Sequence, residues 1–231
     1  MRLLFFVALI VFQSALLTAQ RGQPFQMPSF KGIDLQTHAD VYLSYGAVQK
    51  VIIEGSSEWT QSISKTVNSR GVWNINAKTK SGEVGRIYIV TPSIQHITLS
   101  GSGSITCENR LDLHRLMPLQ PLEVELSGEG SIALDVDARK VVAHLSGTGN
   151  IDLMGKVGVL NSTLSGTGDF RAYPLIANST KVVLSGTGNV EVQAREWFNA
   201  TLSGTGNILY RGNPTFNVTQ VTGQGNITQR G

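Results

Sequence analysis

From residue 99 onward, apolar and polar residues alternate with a period of two, and a Gly-x-Gly unit interrupts the alternation at regular intervals. Around Val182, one face carries Val182, Leu184, Gly186, Gly188, Val190 and Val192. The opposite face carries Val183, Ser185, Thr187, Asn189 and Glu191, and the copies at Leu145 and Leu202 sort the same way. Period two belongs to a pleated strand, whose successive side chains point to opposite faces. A helix would not keep its small polar residues strictly two apart.

The recurring unit is Leu145-Ser-Gly-Thr-Gly-Asn-Ile151. Copies begin at Leu99, Leu126, Leu145, Leu164, Leu184, Leu202 and, in degraded form, Val221. After a first gap of 27 residues the starts fall 19, 19, 20, 18 and 19 apart. Self-similarity at a fixed period near 20 marks a solenoid. Such a coil is too short for a βαβ crossover and only about half a propeller blade of ~40 residues. What remains is an all-β fold, a parallel β-helix of about seven short coils. Each coil would lie on the last at ~4.8 Å, giving a rod of roughly 30 Å. Leucine and isoleucine are expected to stack inside it. The small polar residues are expected to form ladders on one outer face, and these are the candidate binding residues: Ser146, Thr148, Asn150, Ser165, Thr167, Asp169, Ser185, Thr187, Asn189, Ser203, Thr205 and Asn207.

The chain before the repeat divides by composition. Residues 1–19 read as a secretory signal peptide, with Arg2 before the apolar run Leu3 to Phe12 and small residues at Thr18-Ala19. Residues 20–29, with Pro24 and Pro28, read as a flexible lead-in. Residues 30–98 keep a β pattern without the repeat, and are expected to cap or extend the β-helix, which spans 99–231. The interval Cys107 to Glu125, with Pro118 and Pro121, reads as a loop bulging from the first coil and carries a cluster of ionisable groups. The worn last copy is expected to leave an open strand edge, which either the final residues or another chain would cover.

Composition narrows the chemistry. One cysteine, Cys107, allows no internal disulfide, and packing is its expected use. The net charge of +3 is dispersed, with no basic cluster beside aromatics, so nucleic acid is not an expected partner. No run after the signal peptide is long and apolar enough to span a bilayer. The histidines His38, His96, His114 and His144 show no metal-ligand spacing, and neither a metal nor a cofactor is expected. A β-helix hydrolase or lyase needs convergent carboxylates, and Asp135-Val-Asp137 is the clearest pair on one face; exposed surface charge is its plainer explanation. No catalytic residue is assigned.

The iterated Leu-Ser-Gly-x-Gly-[Asn/Asp/Ser]-Ile, from Ile97-Thr-Leu-Ser-Gly-Ser-Gly-Ser-Ile105 onward and preceded by the region from Phe30, resembles the putative auto-transporter adhesin, head GIN domain family, common in exported proteins of Bacteroidetes. The resemblance implies a right-handed β-helix of pectin-lyase-like shape without the catalytic residues of those enzymes, and a role in cell adhesion. This chain lacks the lipoprotein cysteine of many relatives. The expectation is therefore an exported, non-enzymatic protein of the periplasm, outer surface or medium. Its expected partners are glycans or extracellular and envelope proteins, with a second copy at the C-terminal edge as a further candidate. A carbohydrate-active enzyme or glycan-binding module, whose mark would be a cleft where acids from neighbouring coils converge, and an envelope structural element are the alternatives.

Overall fold

Alternation of buried and exposed side chains runs through nearly every strand of the computed structural model, which describes residues 24–77, 84–114 and 120–231. The expected signal peptide lies outside the described residues. The fold is all-β, with a single short helix among the described residues.

The N-terminal region forms β1 (Gly32–Leu35), β2 (Ala39–Tyr45), β3 (Lys50–Glu54), the helix α1 (Ser57–Ser62), β4 (Val72–Ile75) and β5 (Gly85–Thr91). Ser56 caps α1, its hydroxyl accepting the Trp59 N–H at 3.1 Å, and the helix exists to bury Trp59. The first gap of the repeat holds β6 (His96–Leu99), β7 (Ser104–Cys107), the two-residue β8 (Leu111–Asp112) and β9 (Leu122–Leu126). The expected loop from Cys107 to Glu125 is therefore corrected at both ends: Cys107 closes β7, and Glu123-Val-Glu125 belongs to β9 because Leu122, Val124 and Leu126 alternate into the core. The repeat proper supplies β10 (Ser131–Leu145), β11 (Asn150–Leu164), β12 (Phe170–Ala172), β13 (Leu175–Leu184), β14 (Val190–Gln193), β15 (Trp197–Leu202), β16 (Ile208–Arg211), β17 (Phe216–Val221) and β18 (Ile227–Gln229).

Most of these strands pair in two parallel stacks, while β8, the middles of β10 and β11 and the start of β13 form a short third ladder. One runs β4, β1, β6, β9, the ends of β10 and β11, then β13, β15 and β17. The other runs β5, β2, β7, the starts of β10 and β11, then β12, β14, β16 and β18. Register is set by the Leu of each copy: Leu35, Leu99, Leu126, Leu145, Leu164, Leu184, Leu202 and Val221 stand in one column. All but Val221 are almost wholly buried, and stacked aliphatic burial of this kind is worth about 1.5–3 kcal/mol per side chain.

The N-terminal region pairs into both stacks. β1 lies between β4 and β6, and β2 between β5 and β7, so the first strands of the described chain sit inside the stack and the later pair β4 and β5 lies outside them. Among the strands named here for the described residues, only β3 runs antiparallel, along β5. At the far end every residue of β17 is exposed. Its inward positions Asn217 and Thr219 follow Phe198 and Ala200 in register, so polarity replaces the core at that rung.

Candidate functional site

Between the two stacks the chain turns through its Ser-Gly-Thr-Gly units, and these turns lie on one another as closely as the strands do. The Ser185 N–H donates to the Leu164 carbonyl at 2.9 Å, and the Thr187 N–H to the Gly166 carbonyl at 3.1 Å. The same pair of bonds recurs at Ser165 and Thr167 and at Ser203 and Thr205. A Cβ on Gly186 would collide with the Gly166 carbonyl oxygen, and one on Gly188 with that of Gly168. The glycines are there because stacked backbones leave no room for a side chain.

The backbone of the turn is thus satisfied internally, and its side chains face outward. Ser165, Thr167, Ser185, Thr187, Ser203 and Thr205 are exposed and line a shallow trough of about 620 Å³, floored by Gly166, Gly186, Gly204 and Gly223 and ended by Gln224. Their hydroxyls make no side-chain hydrogen bond among the described residues. Each keeps one donor and two acceptor sites for an external partner. Ser146 and Thr148 continue the two columns one rung earlier, also exposed, outside the trough.

The third residue type behaves differently. Asn150 Oδ1 accepts the Asp169 N–H at 3.1 Å, and Asp169 Oδ1 accepts the Asn189 N–H at 3.0 Å. Asn189 Oδ1 then accepts both the N–H and the Nδ2 of Asn207 at 3.2 Å, and Asn207 Oδ1 accepts the Asn226 N–H at 3.2 Å. This column holds one rung to the next through its side-chain oxygens. Of the twelve residues expected to bind, the structure groups six in the trough, sets two beside it, and ties four into an internal ladder.

The acids of the repeat are mostly neutralised where they stand. Asp135 takes a two-point bond from Arg110, at 2.8 and 3.3 Å, and Asp137 lies 3.2 Å from His114. The Asp135 bond raises the pKa of the Arg110 guanidinium. Arg171 bridges Asp152 at 3.6 Å and Asp169 at 3.0 Å. Asp135 and Asp137 thereby fasten the segment after β7 to β10. No group of three or more His, Cys, Asp or Glu among the described residues could hold a metal ion. Cys107 is half-buried, with its sulfur against the Asp135 backbone N–H at 2.8 Å. Burial pushes its thiol pKa up.

Sequence reading missed a copy of the repeat. Leu35-Gln-Thr-His-Ala-Asp-Val41 lies on Leu99-Ser-Gly-Ser-Gly-Ser-Ile105 position for position, with His38 Nδ1 3.2 Å from Ser102 Oγ and Ser104 Oγ donating to Asp40 at 2.6 Å. Both signature glycines are replaced there, by Thr37 and Ala39, so only the Leu and Val spacing could have revealed it. Reading also passed over a groove on the outer face of β1, β4, β6, β9 and β10, where Asp34, Arg70, His96, Glu123, Glu125 and His144 come together. Its one local signal is the Glu-Val-Glu alternation at 123–125.

Comparison with known proteins gives a consistent picture. The family model described as putative auto-transporter adhesin, head GIN domain, matches residues 29–214. A crystal structure of a putative adhesin from Bacteroides fragilis NCTC 9343 is similar over 90% of this chain and 95% of its own, with a TM-score of 0.79 and 22% identity. A putative lipid binding protein from Parabacteroides distasonis ATCC 8503 superposes with a TM-score of 0.71 at 18% identity, over 90% of this chain and 96% of its own. A putative adhesin from Parabacteroides merdae ATCC 43184 gives 0.62 at 17% identity, over 90% and 95%. At these identities the likeness is one of fold. No curated protein matches the chain.

Proposed function

Because this chain belongs to the putative auto-transporter adhesin, head GIN domain family, we infer that it is an exported, non-enzymatic protein that attaches to polar surfaces through its Ser/Thr trough. The observation that carries this reading is the array of exposed hydroxyls with no partner of their own, repeated rung after rung at the spacing of paired strands. Such an array suits a ligand that is itself periodic and rich in hydroxyls or amides, and a glycan chain is the simplest. Contacts at one rung are weak, and recurrence over several multiplies them.

The same proposal takes the two stacks with their connecting turns as one right-handed parallel β-helix of short coils, seven of them carrying the Gly-x-Gly copies. Residues 30–98 and 99–231 then form a single folding unit, since β1 and β2 pair directly with β6 and β7. A second copy pairing along the exposed β17 would extend the trough beyond one molecule. Residues 1–19 direct export.

The test is binding of the chain from Gln20 onward to a panel of glycans and extracellular matrix proteins, read with and without Thr167→Lys, Thr187→Lys and Thr205→Lys together. The expected outcome is a specific partner whose binding falls at least ten-fold in the triple variant, with circular dichroism unchanged. Partners that bind the variant as well as the wild type would remove the trough from the reading.

A further inference from the structure

A second concave site lies away from the trough, on the outer face of the first stack. The turn at Asn68 to Gly71 is held by the Asn68 side chain, whose Oδ1 accepts the N–H groups of Arg70 at 2.9 Å and Val72 at 3.1 Å. Arg70 and Asn68 on this turn form one wall of a groove of about 390 Å³, and outward side chains of β1, β4, β6, β9 and β10 form its floor. Register fixes the floor in two columns: Asn74, Asp34, Thr98, Glu125 and His144 in one, and His96, Glu123 and Val142 in the other.

The groups in this groove are unevenly committed. Asp34 is engaged by Gln36 at 2.6 Å and Ser100 at 3.0 Å, and Glu123 by His96 Nδ1 at 2.8 Å. The side chains of Glu125, Thr98, Asn74, His144 and Arg70 have no hydrogen-bond or ion-pair partner among the described residues, although Thr98, Glu125 and His144 stand on consecutive rungs of one column. Three carboxylates face one guanidinium, so the groove is negative within a chain whose net charge is +3. Its volume falls in the range of sites for small ligands.

We propose that this groove binds an amino sugar, with the ligand's ammonium group on Glu125 and its hydroxyls on the unengaged polar side chains around it. An ammonium carries three donors, and Glu125 with the Thr98 hydroxyl and a His144 ring-nitrogen acceptor, on the rungs to either side of it, can take all three. A lysine side chain has the same charge but brings an aliphatic stem, and of the three valines along the groove Val72 and Val124 are buried, leaving Val142 beside nine polar residues. A hexosamine surrounds its amine with hydroxyls, which is what Asn68, Asn74, His144 and Arg70 can satisfy. Acidic sugars are repelled by the three carboxylates.

The test is calorimetric titration of the chain from Gln20 onward with glucosamine trimer, N-acetylglucosamine trimer, galacturonic acid trimer and a lysine-containing tripeptide. The glucosamine trimer is expected to bind, and the acetylated and acidic trimers and the peptide at least ten-fold more weakly. Glu125→Gln is expected to weaken the glucosamine trimer about ten-fold or more, as loss of a charged hydrogen bond does. The triple Thr→Lys trough variant is expected to bind it unchanged, which separates this site from the trough. Absence of saturable heat, equal binding of the acetylated trimer or the peptide, or indifference to Glu125→Gln in a variant with an unchanged melting curve would overturn the proposal.

Discussion

At the residue scale the turn glycines are the least replaceable positions. Each lies against a carbonyl of the preceding rung, which belongs to a paired backbone and cannot swing aside. Gly186→Ala forces a methyl group into the Gly166 oxygen and should cost about 3 kcal/mol, the upper part of the range for overpacking. Chemical denaturation followed by circular dichroism measures it, and a loss below 0.5 kcal/mol, the ordinary scatter of surface changes, would mean that the rungs are looser than described. The neighbouring Ser185 and Thr187 are free to vary by the same geometry, since their side chains point into solvent. That separation between glycines fixed by packing and hydroxyls fixed by nothing in the fold is what directs attention to the trough.

At the scale of the element, β1 and β2 make an internal rung. Leu35 is wholly buried and lies between Ile75 and Leu99, as Leu164 lies between Leu145 and Leu184. Leu35→Ala should therefore cost as much as Leu164→Ala, about 2–5 kcal/mol, where a peripheral cap would lose far less. Equal shifts in the denaturation midpoint of the two variants check it. The strand period and the leucine column were legible in the sequence because Leu-Ser-Gly-x-Gly repeats visibly. The copy at Leu35 was hidden because its glycines are gone: Thr37 donates its hydroxyl to the Ala77 carbonyl at 3.4 Å, an arrangement unlike the tight glycine stacking elsewhere. That the oxygens of Asn150, Asp169, Asn189 and Asn207 also accept the backbone N–H of the following rung was not legible, because a periodic polar residue looks the same in sequence whichever way it faces. The groove at Arg70 and Glu125 could not be read at all, since its walls come from segments distant in sequence that the pairing of β1 with β4 and β6 brings together.

At the scale of the whole molecule, the order of strands gives the two ends different mechanical characters. Drawn by its C-terminal end, the chain can peel one rung at a time, because β18 and β17 are each paired to a single earlier strand. Drawn by its N-terminal end, it must pull β1 and β2 out from between two neighbours each, breaking both flanking ladders together. Single-molecule extension with handles at Pro24 and Leu99 should therefore show one high-force event, and handles at Leu164 and Gly231 a series of smaller ones. Equal peaks from both would mean that the inserted rung adds no resistance. A chain built this way resists tearing at one end and yields gradually at the other, so on the attachment role proposed above a tug on the bound surface would be spent in successive small extensions before the inserted rung felt it.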